Sequence, residues 1–120
     1  EKLYENQIEE TLASLGMHPA FHMTLADETA SGYAMYLEMS PEKELEKKIE
    51  EKLQRINIEY EAKVKSDRLK PLQVVFLTAG TGEAYKKHRL AKGQREGQYK
   101  TINLQYKRDC DFDFDAYVQN

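Results

Sequence analysis

The chain has 120 residues, of which 32% are charged and 40% hydrophobic, with a net charge of −3 and a single cysteine. One cysteine excludes an internal disulfide framework and fits a reducing, cytoplasmic setting. The acidic balance argues against a nucleic-acid module, and no apolar run is long enough to span a membrane.

The length suits one domain with its own core. Glu1 stands where an initiating methionine would, which points to a piece of a longer protein. In chain order, Leu3, Tyr4, Ile8, Leu12 and Leu15 recur at helical spacing, and Gly16 ends the pattern. Phe21, Met23 and Leu25 alternate with His22 and Thr24, and Tyr33, Met35, Leu37 and Met39 alternate with Ala34, Tyr36 and Glu38. These read as two strands joined through the polar turn 27–32. Ser40-Pro41-Glu42 has the chemistry of a helix start: a capping serine, a proline for the first turn and an acid opposing the macrodipole. From there Leu45, Ile49, Leu53, Ile56, Tyr60 and Val64 form one apolar stripe, with a Glu/Lys face that reads as solvated.

Residues 72–77 are a short valine-rich run that predicts a central, buried strand. A third helix is expected over 83–91, closed by Gly93, then a loop and a short edge strand near Leu104. Residues 109–120 form a docked or frayed tail. The fold expected is α+β: a small, mostly antiparallel sheet, made of the hairpin and a third strand, with helices packed on one side. Residues 1–120 then make a single domain.

Few constellations carry chemistry. Gly80-Thr81-Gly82 sits between a strand and a helix, but Tyr85 replaces the third glycine of a dinucleotide fingerprint, so a tight turn is favoured. His18 and His22 lack a companion ligand and read as ordinary surface histidines. Asp109, Asp111, Asp113 and Asp115 resemble half a calcium loop, but Phe114 occupies the glycine position and Asn120 the glutamate position. No metal site is assigned. Cys110 reads as a packed or surface thiol. The basic run Lys86-Lys87-His88-Arg89, with Lys92, Arg95 and Lys100, flanks a loop bounded by Gly93 and Gly97. Such a loop suits a lysine that reaches a phosphate, although composition alone favours a merely soluble surface.

Several segments together resemble the C-terminal domain of the Gretchen Hagen-type, auxin-responsive acyl acid amido synthetases. They are Ala20-Phe21-His22-Met23-Thr24 with Gly32-Tyr33-Ala34-Met35-Tyr36-Leu37-Glu38, then Leu53-Gln54-Arg55-Ile56-Asn57-Ile58-Glu59-Tyr60. Leu72-Gln73-Val74-Val75 with Gly80-Thr81-Gly82 follows, and Lys92-Gly93 with Gln98-Tyr99-Lys100-Thr101 is the most specific piece. Ile102 and Asn103 depart from that family's proline and arginine, and the acidic tail has no counterpart in it.

The resemblance implies the mobile C-terminal domain of a two-domain adenylate-forming ligase. The whole enzyme would use ATP and Mg²⁺ to convert a small carboxylic acid to an acyl-adenylate, then pass the acyl group to an amine or amino acid. This chain would hold no cofactor itself. Its partner would be the N-terminal adenylation domain of the same polypeptide, with no nucleic acid or membrane involved. By the same resemblance Lys100 is the catalytic candidate, Gln98, Tyr99 and Thr101 shape its loop, and Glu1 and Lys2 lie at the hinge. The alternative is a free-standing α+β binding module without catalysis, which fold alone does not exclude.

Overall fold

The computed structural model describes residues 3–93 and 102–119. Helix α1 spans Glu5–Ser14. Its start is held by the Tyr4 N–H, which donates to Gln7 Oε1 at 3.2 Å. Its end is released by Gly16 at φ 71°, a left-handed value that suits glycine. Ile8, Thr11 and Leu12 face inward.

Strands β1 (His22–Asp27) and β2 (Gly32–Glu38) form the expected hairpin, in register from His22↔Leu37 to Asp27↔Gly32. Asp27 organises the turn: its Oδ1 accepts the Thr29 and Ala30 N–H groups and the Thr29 hydroxyl.

The long apolar stripe is two helices rather than one, α2 (Leu45–Ile56) and α3 (Ile58–Lys65). Asn57 breaks it with an extended backbone, and its Oδ1 caps the second helix by accepting the Tyr60 N–H at 2.9 Å. The first helix also begins later than Ser40-Pro41-Glu42 suggests, because Glu44 takes φ 62° and helical bonding starts only beyond it.

Strand β3 (Gln73–Leu77), helix α4 (Thr81–Ala91) and the short β4 (Leu104–Tyr106) follow, then two 3-10 turns, Lys107–Asp109 and Phe114–Tyr117. The sheet order is β3-β2-β1-β4.

The class is α+β as expected, but three details of the sheet differ. First, it is mixed. Only β1–β2 is antiparallel; β2–β3 and β1–β4 are parallel. A hairpin turn reverses the chain, whereas β3 is reached through two helices and so returns in the same direction as β2. Second, β3 is an edge strand rather than a central one. Its outer side is covered by the tail, where Leu77 bridges Val118 and the Gln119 N–H donates to the Phe76 carbonyl at 2.9 Å. Third, helices lie on both faces. Met35 and Leu37 pack with α1, α2 and α3. Met23, Leu25 and Tyr36 point the other way, to Tyr85 of α4 and Phe114 of the tail. Period two in the strands makes both faces apolar, so each needs its own cover.

Candidate functional site

The glycine turn before α4 comes first, because a phosphate would bind there if anywhere on a helix end. Gly80 takes φ 93°. Its N–H donates to Glu38 Oε2 at 2.7 Å, and the Gly82 N–H donates to Glu38 Oε1 at 2.8 Å. A carboxylate of this chain thus already occupies the helix N-terminus, where it also complements the dipole. Gly82 is required for contact rather than for a ligand: a Cβ there would lie 2.8 Å from Phe21 Cβ. The turn is a packing device, as the missing third glycine implies.

Helix α4 then carries the basic run. His88 Nε2 lies 2.9 Å from Asp111 Oδ1, and Lys92 Nζ lies 3.5 Å from Asp111 Oδ2. The His88 imidazole beside it holds the Asp111 carboxyl below the usual carboxylate range. Arg89 Nη1 donates to the Tyr85 hydroxyl at 3.5 Å. Part of the cluster is therefore committed to the tail and to α4 itself. Gly93, at φ 98°, closes the helix.

Gln98, Tyr99, Lys100 and Thr101 lie outside the described residues, as do Arg95, Glu1 and Lys2. The two stems on either side of 94–101 are described: the end of α4 and the start of β4. The second stem is tied down at Asn103 by three bonds. Its N–H donates to Glu5 Oε2 at 2.7 Å, its side-chain amide donates to the His22 carbonyl at 2.5 Å, and its carbonyl accepts the Thr24 N–H at 2.8 Å. Asn103, which departs from the resembled pattern, thus anchors β4 to β1 and to α1.

His22 is half-buried rather than a surface histidine, whereas His18 is exposed. Burial pushes the His22 imidazole below its ordinary value, against the opposing pull of Glu9 and Glu5, and its Nδ1 has no hydrogen-bond partner.

No group of three metal-binding side chains occurs among the described residues, those of the acidic tail included. Its carboxylates go to separate partners. Asp111 takes His88 and Lys92, Asp113 accepts the Asp115 N–H at 3.1 Å, and Asp115 accepts the Tyr36 hydroxyl at 3.1 Å. Burial and the Asp115 charge push the Tyr36 phenol up to about 12. Burial likewise raises the Cys110 thiol, which donates to the Phe112 carbonyl at 3.6 Å and is not a poised nucleophile.

Sequence reasoning missed Glu5, Glu38 and Asn103. Each side chain bonds a backbone group far away in sequence, Glu5 the Asn103 N–H 98 residues on, Glu38 the Gly80 and Gly82 N–H groups and Asn103 the His22 carbonyl, and no local pattern marks such a bond. Among the described residues no helix is long and apolar enough to cross a membrane.

The comparisons with known proteins agree with this architecture. Residues 4–109 match the family described as "GH3 family C-terminal domain". No curated protein matches the sequence at a significant level. Among solved structures, a GH3.15 acyl acid amido synthetase superposes with a TM-score of 0.83 at 16% identity, covering 100% of this chain and 25% of that one. AtGH3.15 acyl acid amido synthetase in complex with 2,4-DB superposes at 0.80, with the same identity and coverage. At that identity the likeness establishes the fold, and this chain spans about a quarter of the length of those proteins. With the family matched from Tyr4 to Asp109, the chain belongs to the GH3 family as its C-terminal domain.

Proposed function

We propose that this chain is the mobile C-terminal domain of an ATP-dependent acyl acid amido synthetase, working in the cytoplasm. The observation that carries the reading is the family match over residues 4–109, and the GH3.15-like fold supports it. In the first half-reaction a substrate carboxylate attacks the α-phosphate of ATP and pyrophosphate leaves. In the second, an amine attacks the acyl carbon and AMP leaves. The first step brings two anions together and builds charge on phosphate oxygens. A lysine delivered on a loop as the domains close offsets that charge and excludes water in the same movement. Lys100 takes that role, with Gln98, Tyr99 and Thr101 setting the loop and Glu1 and Lys2 at the hinge. ATP, the carboxylic acid and the amine bind mainly to the N-terminal domain. The amides of the Gly80-Thr81-Gly82 turn are taken by Glu38, and Mg²⁺ is held with ATP in the N-terminal domain.

The test is made in the full-length protein. Lys100→Ala should slow acyl-adenylate formation on the order of a hundredfold. Lys87→Ala, on the exposed side of α4, should leave it unchanged. Equal rates for the two variants would remove Lys100 from the reaction. A loss confined to amide formation would move it to the second half-reaction.

A further inference from the structure

Among the described residues four large hydrophobic side chains stand well out in solvent: Tyr4 at 58% exposure, Ile58 at 76%, Ile102 at 46% and Tyr106 at 37%. Ile58 stands apart on α3. The other three line one groove of about 420 Å³, together with the less exposed Leu3, Tyr33 and Leu104. Glu5 and Gln105 supply its polar side chains. The groove lies along β4, which ends the sheet. The two edges of that sheet are finished differently. The β3 edge is covered by Val118 and Gln119, while the β4 edge keeps its aromatic and aliphatic side chains in the open. A concave apolar patch of this kind on a small domain marks an interaction surface.

We propose that this groove packs against the large N-terminal domain of the intact protein. The proposal rests on the two-domain part of the functional reading above. Two observations favour this occupant over a separate protein. The matched solved chains carry three quarters of their length outside this fold, so the relatives hold a large partner on the same polypeptide. Leu3 and Tyr4 form part of the groove wall, and they open the domain that the family places C-terminal. A partner tethered through that segment is held beside the groove, at an effective concentration that a separate protein would not reach. The lining chemistry fits such a partner: the exposed residues are an isoleucine and two tyrosines, the side chains that give large contact area at interdomain and protein interfaces.

Amide hydrogen exchange tests the proposal by comparing the 120-residue chain with the full-length protein. Amides of residues 3–5 and 102–106 should exchange about tenfold more slowly in the full-length protein. Those of β1 and β2 should be equally protected in both samples, showing that the domain is folded in each. Ile102→Lys with Tyr106→Lys in the full-length protein should restore fast exchange at residues 3–5 without altering β1 and β2. Equal exchange in the two unsubstituted samples overturns the proposal. So does slow, concentration-dependent exchange in the 120-residue chain, which would assign the groove to a second copy. Acyl-adenylate formation is measured on the same full-length sample. Slow groove exchange without adenylation supports the groove while overturning the ligase chemistry, and adenylation without groove protection does the reverse.

Discussion

On the face of the sheet covered by α1, α2 and α3, the fully buried side chains are mainly aliphatic: Ile8, Met35, Leu37, Leu45, Ile49 and Leu53. On the α4 face the buried aliphatic Met23, Leu25 and Leu77 are joined by the aromatic Tyr36, Tyr85 and Phe114, and Phe114, a residue of the tail, stands at the centre of the rings. The Phe114 ring lies 4.8 Å from Phe112, 5.4 Å from both Tyr36 and Tyr85, and 5.8 Å from Phe21. The first face is closed by helices whose apolar stripes are periodic and local. The second has one helix, α4, and is completed by a segment that lies beyond the family match, which ends at residue 109. The difference teaches that the core of the domain runs past the end of the family match: the segment beyond residue 109 supplies part of it, and the solved GH3.15 chains superpose over 100% of this chain.

The largest expected effects set the two faces against each other. Phe114→Ala should lower unfolding stability by about 3–5 kcal/mol, because it removes the ring that joins α4 to the sheet. Leu53→Ala, its counterpart on the other face, should cost about 2–5 kcal/mol. Denaturant unfolding checks both. If Phe114→Ala costs under about 1 kcal/mol while Leu53→Ala costs the full amount, the tail is an ornament and the comparison fails.

Glu38→Ala should come next. It leaves the Gly80 and Gly82 amides without their charged acceptor and should cost about 1.5–3 kcal/mol by the same measurement. Glu38→Gln, which keeps an acceptor oxygen, should recover part of that. No recovery would mean that packing against Phe21 rather than the cap holds α4 in place.

Alkaline pH offers a subtler probe, because each face holds a tyrosine hydroxyl against a carboxylate. Tyr36 bonds Asp115 on the α4 face, and Tyr60 bonds Glu50 on the other. Burial raises both phenols above their ordinary value, Tyr36 to about 12. A raised folded value means that the folded state holds the proton longer than the unfolded chain does. The stabilisation is complete below the unfolded value near 10 and is lost as pH climbs through 12. Tyr36→Phe should therefore flatten the fall in stability between those pH values. An unchanged slope would assign the whole alkaline transition to other groups.

The smallest effect should come from Asp111→Asn. It severs the exposed pairs to His88 and Lys92, and any loss should vanish in molar salt. A salt-insensitive loss would mean that Asp111 holds the tail by geometry rather than by charge.

What was legible in the sequence is what repeats over a few residues. The hairpin is written in alternate side chains around Asp27, α1 in a stripe ended by Gly16, and α4 in the segment closed by Gly93. The tight-turn character of Gly80-Thr81-Gly82 follows from the absence of its third glycine. The resemblance carried by the segments from Ala20 to Thr101 pointed to the family. The loop it singled out, with Lys100, falls outside the described residues, so of the candidate site only the two stems can be compared.

Tertiary structure decided the rest, because the deciding contacts are not local. Whether β3 lies at the centre or the edge depends on which strands find partners. Its outer side is closed by Val118 and Gln119, some 40 residues further on by the bridge Leu77↔Val118. Whether helices cover one face or two depends on the summed apolar area of both strand faces, which no single strand reveals. Glu38 reads locally as the last polar residue of a strand, and Asn103 as a polar residue in a loop. Only the folded chain brings Glu38 onto the amides of Gly80 and Gly82, and Asn103 between Glu5 and His22. Backbone amides are alike in every residue, so the sequence alone determines that these donors need acceptors, and the fold determines which side chain answers.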